Sequence, residues 1–362
     1  MWDLVGHEEA VERLRRSLSA GHVSHAYLLA GPARVGKATL ALRLAQALNC
    51  SGSEPPCGEC KACRRIASGS YLDVRVVSLG ASAGEPEDGD ERRRPRSGEK
   101  AIGIDQIRAL QREVALSPHE GRYKVYIILN AEHLSVEASN SLLKVLEEPP
   151  PRVVLLLTTT DANMLLPTIV SRCQLIKLQP VSAGAIARHL HGRLGIDEGR
   201  ASLLARLSGG RVGWAIAAAA DGALLAERAE ALARLVSLVG AGPAQRLAAA
   251  GKLAAEHGRN RDGVCFALEL WTTWWRDVFL VQAGVEDLVA NCDQLETLRG
   301  HAAGCTAFQV RAYLARIEAA LAQLEQNVNP RLALEALLLN IPRVHIQSIG
   351  DEGLAPLVDV PG

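Results

Sequence analysis

The chain has 362 residues, which is too long for one compact domain, and 48% of them are hydrophobic, which is enough to build two or three cores. Its 40 Lys and Arg residues balance its 40 Asp and Glu residues, so no overall positive field draws it to nucleic acid, and any DNA contact must be local or shared with partners. No long uncharged apolar stretch indicates a membrane span, and Trp2, Asp3 and Glu8 interrupt any signal-peptide pattern. We therefore expect a cytoplasmic protein whose cysteines stay reduced.

The first 180 residues alternate between short apolar runs and amphipathic segments. The runs have the length of buried strands, whereas the segments repeat apolar residues at helical spacing, as Val11, Leu14 and Leu18 do. We predict strands at 26–30, 73–78, 124–129, 152–158 and 174–178, and helices at 7–19, 37–48, 136–146 and from 104. Strands that alternate with helices predict an α/β fold with a mainly parallel sheet covered on both faces.

Two further parts of the chain lack strand-like patterns. Residues 80–100 contain no large apolar side chain and pass from an acidic to a basic half, which is typical of a solvated, disordered loop. After Pro180 the sequence is rich in Ala and Leu at helical spacing. We predict an α/β domain at 1–180, a small helical domain at 181–221, a larger all-helical domain at 222–345 and a frayed tail at 346–362.

One helix of the last domain carries an aromatic stripe. Its apolar side chains recur at helical spacing and are Trp271, Trp274, Trp275, Val278 and Phe279. Such a stripe is typical of a protein core or a subunit interface rather than of a platform for base stacking.

A phosphate-binding loop is predicted at 31–39, where the chain reads GPARVGKAT. Gly31 and Gly36 would let backbone amides surround phosphate oxygens, and Lys37 would reach the terminal phosphates. The loop follows a predicted strand and opens a predicted helix, whose N-terminus adds the positive end of its dipole. The alternative interpretation is a Gly-rich strand-to-helix turn that binds no nucleotide, and the flanking strand and helix argue against it.

The loop lacks one ligand that a hydrolysing enzyme needs. The residue after the lysine normally carries the hydroxyl that binds Mg²⁺, and here it is Ala38. Thr39 comes one residue late, about 100° further around the helix, so we do not expect it to take over.

The second half of the ATPase site is also incomplete. In a working enzyme the strand at 124–129 would end with acids that hold Mg²⁺ and orient water. Here it ends in Leu129 and Asn130, and Glu132 follows two to three residues too late. We therefore expect nucleotide binding through the loop to be weak and hydrolysis to be absent.

Four of the eight cysteines lie in the segment CSGSEPPCGECKAC, as Cys50, Cys57, Cys60 and Cys63. Four thiolates that converge in so short a segment fit tetrahedral Zn²⁺. The alternative, partly occupied or disulfide-paired cysteines, is disfavoured in a reducing cytosol. A site with four thiolate ligands is closed to substrate, so the predicted zinc is structural.

Several motifs together resemble one known family. HAYLLAGPARVGKATLA, the four cysteines, IGIDQIRAL, GRYKVYII, NSLLKVLEEPP and LLPTIVSRCQ follow the order found in the AAA+ clamp-loader ATPases of bacterial DNA polymerase III. The resemblance covers nearly the whole chain and is strongest at 6–180. Of the two branches, the tau/gamma motor keeps a complete ATPase site, whereas this site has Ala38, Leu129 and Asn130. The chain therefore resembles the delta-prime branch, as do RDVFLVQAGVEDL and NVNPRLALEALLLNIP.

The resemblance implies an AAA+ module, a helical lid and a helical collar in a five-part ring. In the family, the motif that reads Ser171-Arg172-Cys173 here lies at a subunit interface, and its arginine reaches the ATP of the neighbouring subunit. A guanidinium in that place stabilises charge on a transferring phosphoryl group. Without the resemblance, Arg172 is simply a surface arginine. The implied partners are the tau/gamma and delta subunits and, through the complex, the sliding clamp and primed DNA.

Two positions bear on nucleotide sensing, and neither identifies a sensor. The residues at 158–160, all threonines, stand where the family has a polar sensor, although satisfied hydroxyls at a strand end account for them equally well. The family's sensing arginine in the lid aligns with Gly213, and Arg211 is offset from that position.

Two other functions remain as alternatives. The first is an active motor ATPase of the tau/gamma type, which would need Thr39 and Glu132 to replace the missing ligands. The second is a zinc-dependent nucleic-acid-binding module, against which the balanced charge and the lack of a basic stripe both argue. On the resemblance, we expect a component of the polymerase holoenzyme that does not itself hydrolyse ATP.

Overall fold

A computed structural model describes residues 2–79, 101–325 and 328–344, so the predicted loop at 80–100 and the predicted tail at 346–362 lie outside the described residues. The chain divides into two compact units, Met1–Gly195 with Gly210–Ile216, and Ile196–Gly209 with Ala217–Gly362. The finer division into a nucleotide-binding domain, a lid and a collar stays a prediction. Within the described ranges, no helix is long and apolar enough to cross a membrane.

Regular elements occupy most of the described chain. The strands are β1 (Ala26–Ala30), β2 (Val74–Val77), β3 (Lys124–Ile128), β4 (Val153–Thr159) and β5 (Gln174–Lys177). The helices of the first unit are α1 (Glu8–Ser19), α2 (Lys37–Asn49), α3 (Lys61–Ala67), α4 (Ile104–Val114), α5 (Val136–Glu147), α6 (Pro167–Val170) and α7 (Ala183–Leu194). The later helices are α8 (Glu198–Leu207), α9 (Val212–Ala220), α10 (Ala223–Val239), α11 (Pro243–His257), α12 (Arg261–Gln282), α13 (Leu295–Gly304), α14 (Ala307–Glu325) and α15 (Pro330–Leu339).

The described strands form one parallel sheet in the order β2-β3-β4-β1-β5. In the centre of the sheet, Leu28 of β1 lies between Leu157 of β4 and Leu175 of β5. Every residue of β1, β3 and β4 is buried, because both faces of the sheet are covered. Helices α1 and α2 pack on one face, and α4 and α5 pack on the other. The predicted α/β fold class is confirmed, and the carboxyl ends of β1, β4 and β5 meet at one edge of the sheet.

The second unit is helical in the residues that the structure describes, and its core is aromatic. Trp271, Trp274 and Trp275 of α12 are fully buried. The indole N–H of Trp271 donates to the Ala231 carbonyl at 3.1 Å, and that of Trp274 donates to Nδ1 of His301 at 3.1 Å. The aromatic stripe therefore packs mainly in the core of this unit, which is one of the two placements that the sequence predicts.

Candidate functional site

The loop at 31–39 joins the end of β1 to the start of α2, as the sequence predicts. Gly31 passes so close to β5 that a Cβ atom there would lie 2.4 Å from the Leu178 carbonyl oxygen. Gly36 precedes α2 with a φ of 115°, a conformation that residues with a side chain rarely adopt. Both glycines are thus required by the backbone path that would cradle a phosphate.

Replacing Gly31 with alanine should test how tightly this loop is held. Because the new Cβ would overlap the backbone of Leu178, we expect Gly31→Ala to lower the free energy of unfolding by about 1–2 kcal/mol. The measurement is the urea midpoint at unchanged m value. The control is Gly192→Ala in α7, where a Cβ meets nothing within 4 Å and where alanine should stabilise the helix. Equal midpoints for the two variants would show that the loop yields freely.

Lys37, which is predicted to reach the terminal phosphates, is buried within the phosphate loop. Its side chain is 6% exposed, and Nζ donates to the carbonyl oxygens of Gly31 at 2.6 Å and Pro32 at 2.8 Å. The next residue, Ala38, has no ligand to offer, and Thr39 is exposed one position further around α2. The Lys37 amine is therefore held inside the loop by two loop carbonyls, and the position after it offers no hydroxyl; a role in phosphate binding stays a prediction.

The end of β3 carries no acid that is positioned as in an ATPase. Asn130 adopts a left-handed conformation and donates its N–H to Oγ1 of Thr158 at 2.9 Å. Oε1 of Glu132 accepts from both the N–H and the hydroxyl of Thr160, at 3.1 and 3.0 Å. Its Oε2 is buried and has no hydrogen-bond partner among the described atoms. The Glu132 carboxylate thus holds Thr160, which directly follows β4. The hydroxyls of Thr158 and Thr160 both have hydrogen-bond partners within the protein.

The start of α9 lies against the phosphate loop. The N–H of Gly213 donates to the Arg34 carbonyl at 2.8 Å, and a Cβ on Gly213 would lie 3.0 Å from that oxygen. Arg211 is 9% exposed, so it is largely buried. The predicted position of a sensing arginine thus holds a glycine whose backbone contacts the loop directly.

The structure brings the four predicted zinc ligands together. The sulfur atoms of Cys50, Cys57, Cys60 and Cys63 all lie within 4.8 Å of one another. Two of the separations are 3.9 and 4.0 Å, close to the edge of about 3.8 Å that a tetrahedron of sulfurs has when Zn–S is about 2.3 Å. Backbone N–H groups of the segment also point at the sulfurs, for example from Cys60 to Cys57 at 3.3 Å. The cluster can therefore bind a zinc ion.

The cysteines differ in how readily they ionise. The N–H groups of Cys60 and Glu59 lower the pKa of Cys57. Burial raises the pKa of Cys60, but hydrogen bonds from Cys63 and Ser51 outweigh it and lower that pKa to about 6. Burial raises the pKa of Cys63 to about 12. Thiolate is thus favoured at the half-exposed end of the cluster, and the buried end needs a cation to hold its charge.

Polar contacts dock the cysteine segment onto the sheet domain. Nε2 of Gln46 in α2 donates to the Cys63 carbonyl at 2.8 Å, and the Arg122 guanidinium donates to the Cys50 carbonyl. On the other side, Arg65 of α3 pairs with Glu120 at 2.6 Å. These contacts therefore join the cysteine segment to α2, α3 and the turn before β3.

Asp73 fixes that turn. Its carboxylate accepts the backbone N–H groups of His119, Glu120 and Gly121 at 2.7 to 2.8 Å. Burial raises its pKa, but these three hydrogen bonds outweigh burial, and the net pKa lies below the ordinary value. Sequence analysis missed Asp73, Gln46 and Arg122, since each acts on a backbone group that no motif identifies.

Arg172 lies on the surface between α6 and β5. Its side chain is 35% exposed, and Nη1 donates to the Thr168 carbonyl at 3.0 Å and more weakly to the Ser171 hydroxyl at 3.4 Å. The Ser171 hydroxyl itself donates to the Thr168 carbonyl at 3.1 Å. Nη2 lies 2.9 Å from Oε1 of Glu147, the last residue of α5. Sequence analysis missed Glu147, although an acid at the C-terminus of a helix opposes the helix dipole and was a signal available there.

A groove of about 600 Å³ lies at the carboxyl ends of β1, β4 and β5. Its walls include Gly31 and Pro32 of the phosphate loop, the segment after Thr160, and Ser171. Ser171 and the start of the phosphate loop therefore share one groove, and Arg172 directly follows Ser171 in the chain.

Comparisons with known proteins identify relatives of both units. The family model described as "DNA polymerase III, delta subunit" matches residues 6–182, and the model described as "DNA polymerase III, delta subunit, C terminal" matches residues 226–343. DNA polymerase III subunit tau of Bacillus subtilis (strain 168) is 32% identical over 215 residues, which are 58% of this chain and 35% of that protein. A solved DNA polymerase III gamma subunit-related protein of Thermotoga maritima has a TM-score of 0.39 and 19% identity, over 92% of this chain and 99% of that one.

One relative matches along nearly its whole length. DNA polymerase III subunit delta' of Bacillus subtilis (strain 168) is 31% identical over 344 residues, which are 90% of this chain and 93% of that protein. The relative and both family models agree along the two units, so the predicted resemblance is confirmed. The chain belongs to the DNA polymerase III delta' subunit family of AAA+ clamp-loader proteins.

Proposed function

We propose that this chain is a non-hydrolysing clamp-loader subunit that supplies Arg172 to the ATP bound by a neighbouring tau/gamma subunit. The observation that carries the proposal is a partly exposed Arg172 guanidinium whose ion-pair partner, Glu147, is itself exposed, in a chain whose phosphate loop has Ala38 where a metal-binding hydroxyl is expected. A neighbour's phosphoryl group could approach this guanidinium from solvent. There the positive charge would stabilise the transferring group, a contribution that arginine fingers make in related enzymes.

The geometry of the chain's own loop supports the absence of hydrolysis. Ala38 offers no hydroxyl to Mg²⁺, and Glu132 has one oxygen bound by Thr160 and the other buried. Lys37 and the glycines at 31 and 36 could still hold the phosphates of ATP, weakly because the metal ligands are missing. In this proposal bound nucleotide is optional, and Ser171 serves to hold Arg172.

The proposed partners follow from the relatives. Proteins named tau, gamma and delta' of DNA polymerase III all match this chain, so we infer that it assembles with tau/gamma subunits and with the delta subunit. The sliding clamp and primed DNA would be reached through that complex. The balanced charge of the chain supports a role in assembly rather than an independent grip on DNA.

The test is the ATPase rate of a loader reconstituted with the tau/gamma and delta subunits of the same organism. With clamp and primed DNA present, we expect Arg172→Ala to lower the rate several-fold, because one ATP site in the ring loses its finger. Lys37→Ala should change the rate little, and the isolated chain should show no turnover. If the isolated chain hydrolyses ATP and Lys37→Ala is the damaging change, the chain is an active motor and the proposal is wrong.

A further inference from the structure

Glu147 and Arg172 form an ion pair that the sequence around either residue does not predict. Glu147 is the last residue of α5 and Glu148 follows as its C-cap, so two carboxylates stand at the end of the helix where the dipole favours cations. A residue that breaks a local rule without an evident structural gain is often kept for function. Glu147 finds its compensation in the Arg172 guanidinium at 2.9 Å.

Both terminal nitrogens of the guanidinium are engaged in this arrangement. Nη2 faces the Glu147 carboxylate, while Nη1 donates to the Thr168 carbonyl in α6. A phosphoryl group on a neighbouring subunit would need the same N–H donors. Glu147 is therefore a direct competitor of the phosphate, with like charge and the same hydrogen-bonding mode.

The Arg172–Glu147 ion pair is exposed enough for a competing anion to break it. The side chains of Arg172 and Glu147 are 35% and 50% exposed, so water reaches both partners. Exposed ion pairs are weak because solvent screens them and because two long side chains must be held still. A doubly charged phosphate with its metal can displace one carboxylate without disturbing the core of the protein.

We propose that Glu147 is the resting partner of Arg172, which holds the guanidinium against α6 until a neighbouring subunit presents its phosphates. This inference rests on the proposed role of Arg172 in trans. Glu147 is a positioning residue, and it lowers the rate at which the ring hydrolyses ATP before clamp and DNA align the subunits. The Glu147 carboxylate keeps the Arg172 guanidinium oriented and, at the same time, occupies an N–H donor that a phosphate would need.

The decisive variant is Glu147→Gln, which keeps the size of the side chain and removes its charge. In the reconstituted loader without clamp or DNA, we expect the ATPase rate to rise about two- to fivefold, the factor that corresponds to one exposed ion pair. The ATP concentration at half-maximal rate should fall as well, whereas the rate with clamp and DNA should barely change. Glu147→Asp, which restores the charge, should return the resting rate toward that of the wild type.

Glu148→Gln is the matched control, because it removes the same charge from the adjacent, exposed position. It should leave the resting rate unchanged, and the double variant Glu147→Gln/Arg172→Ala should lose the increase. An unchanged or lowered resting rate in Glu147→Gln would overturn the role of Glu147. If Arg172→Ala leaves the stimulated rate intact, the finger itself is refuted, so the two failures are distinguishable.

Discussion

Removal of the metal from the four-cysteine cluster should destabilise the first unit more than any other single change considered for this protein. We expect the purified chain to contain one zinc ion, and Cys57→Ser to lose it. The free energy of unfolding should fall by at least about 3 kcal/mol, since structural zinc supplies roughly 10–16 kcal/mol of binding energy to zinc-finger peptides. Contacts such as Gln46 to the Cys63 carbonyl would retain part of the docking.

Cys57 is the informative position because it is half-exposed, so the serine itself should cost little beyond the lost metal bond. The control is Ser53→Ala, an exposed residue in the same segment that offers no ligand. Elemental analysis gives the zinc content, urea denaturation gives the stability, and limited proteolysis reports whether residues 50–67 open. A wild type that contains no zinc as purified, or a zinc-loaded wild type with the same midpoint as the Cys57→Ser variant, would rule out a structural zinc.

The four-cysteine cluster shows how far the sequence alone predicts a metal site. The ligands were identifiable because four cysteines at so short a spacing are typical of a metal site in a reducing compartment. The way in which the segment docks was not, since Arg122 is far along the chain and binds a backbone carbonyl. Helix α3 (Lys61–Ala67) was also missed, because it begins inside the cysteine pattern and is too short to show a clear periodicity.

The strands of the sheet were predictable for a different reason. The prediction of 26–30 for β1 matches the structure residue by residue, and the limits of the other strands differ by at most one residue at either end. β1, β3 and β4 are buried on both faces and read as nearly continuous apolar runs, whereas the partly exposed β2 and β5 are shorter runs of the same kind. Burial decides, residue by residue, whether a strand position is apolar, so the limits of a strand can be predicted from a short stretch of sequence.

The Arg172–Glu147 contact, in contrast to the strands, could not be predicted from the local sequence. Arg172 was found only through the resemblance to a family, since an arginine after a short helix has no pattern of its own. Its partner stands on another helix, so their contact depends on how α5 and α6 pack. The sequence did contain one local anomaly, the two acids at the end of α5, where the helix dipole favours cations. An acid in such a place can indicate that an arginine from another element lies beside it.

The second large effect should appear on acidification. His301 is 3% exposed, and burial lowers its pKa to about 4, from an ordinary value of 6.5. Between these two values the unfolded chain binds the proton and the folded chain does not, so the free energy of unfolding falls as the pH falls. The shift corresponds to a loss of about 2.5 kcal/mol between pH 7 and pH 4.5, before other groups are counted.

His301→Asn separates this contribution from the carboxylates that titrate in the same range. The asparagine Oδ1 can take the place of Nδ1 and accept the N–H of Trp274, but it cannot be protonated. The variant should be less stable than the wild type at pH 7, because it leaves space beside the Trp275 ring that His301 stacks on. That difference should shrink by about 2.5 kcal/mol at pH 4.5, where only the wild type suffers the penalty.

Urea denaturation followed by tryptophan fluorescence suits this test, since three of the five tryptophans lie in the core of the second unit and two of these contact His301. His22→Asn, at an exposed histidine, controls for the chemical change alone. A stability difference between wild type and His301→Asn that stays constant from pH 7 to pH 4.5 would mean that His301 accepts a proton without leaving its place. In that case the aromatic core would tolerate charge, and the acid sensitivity of the second unit would have to come from its carboxylates.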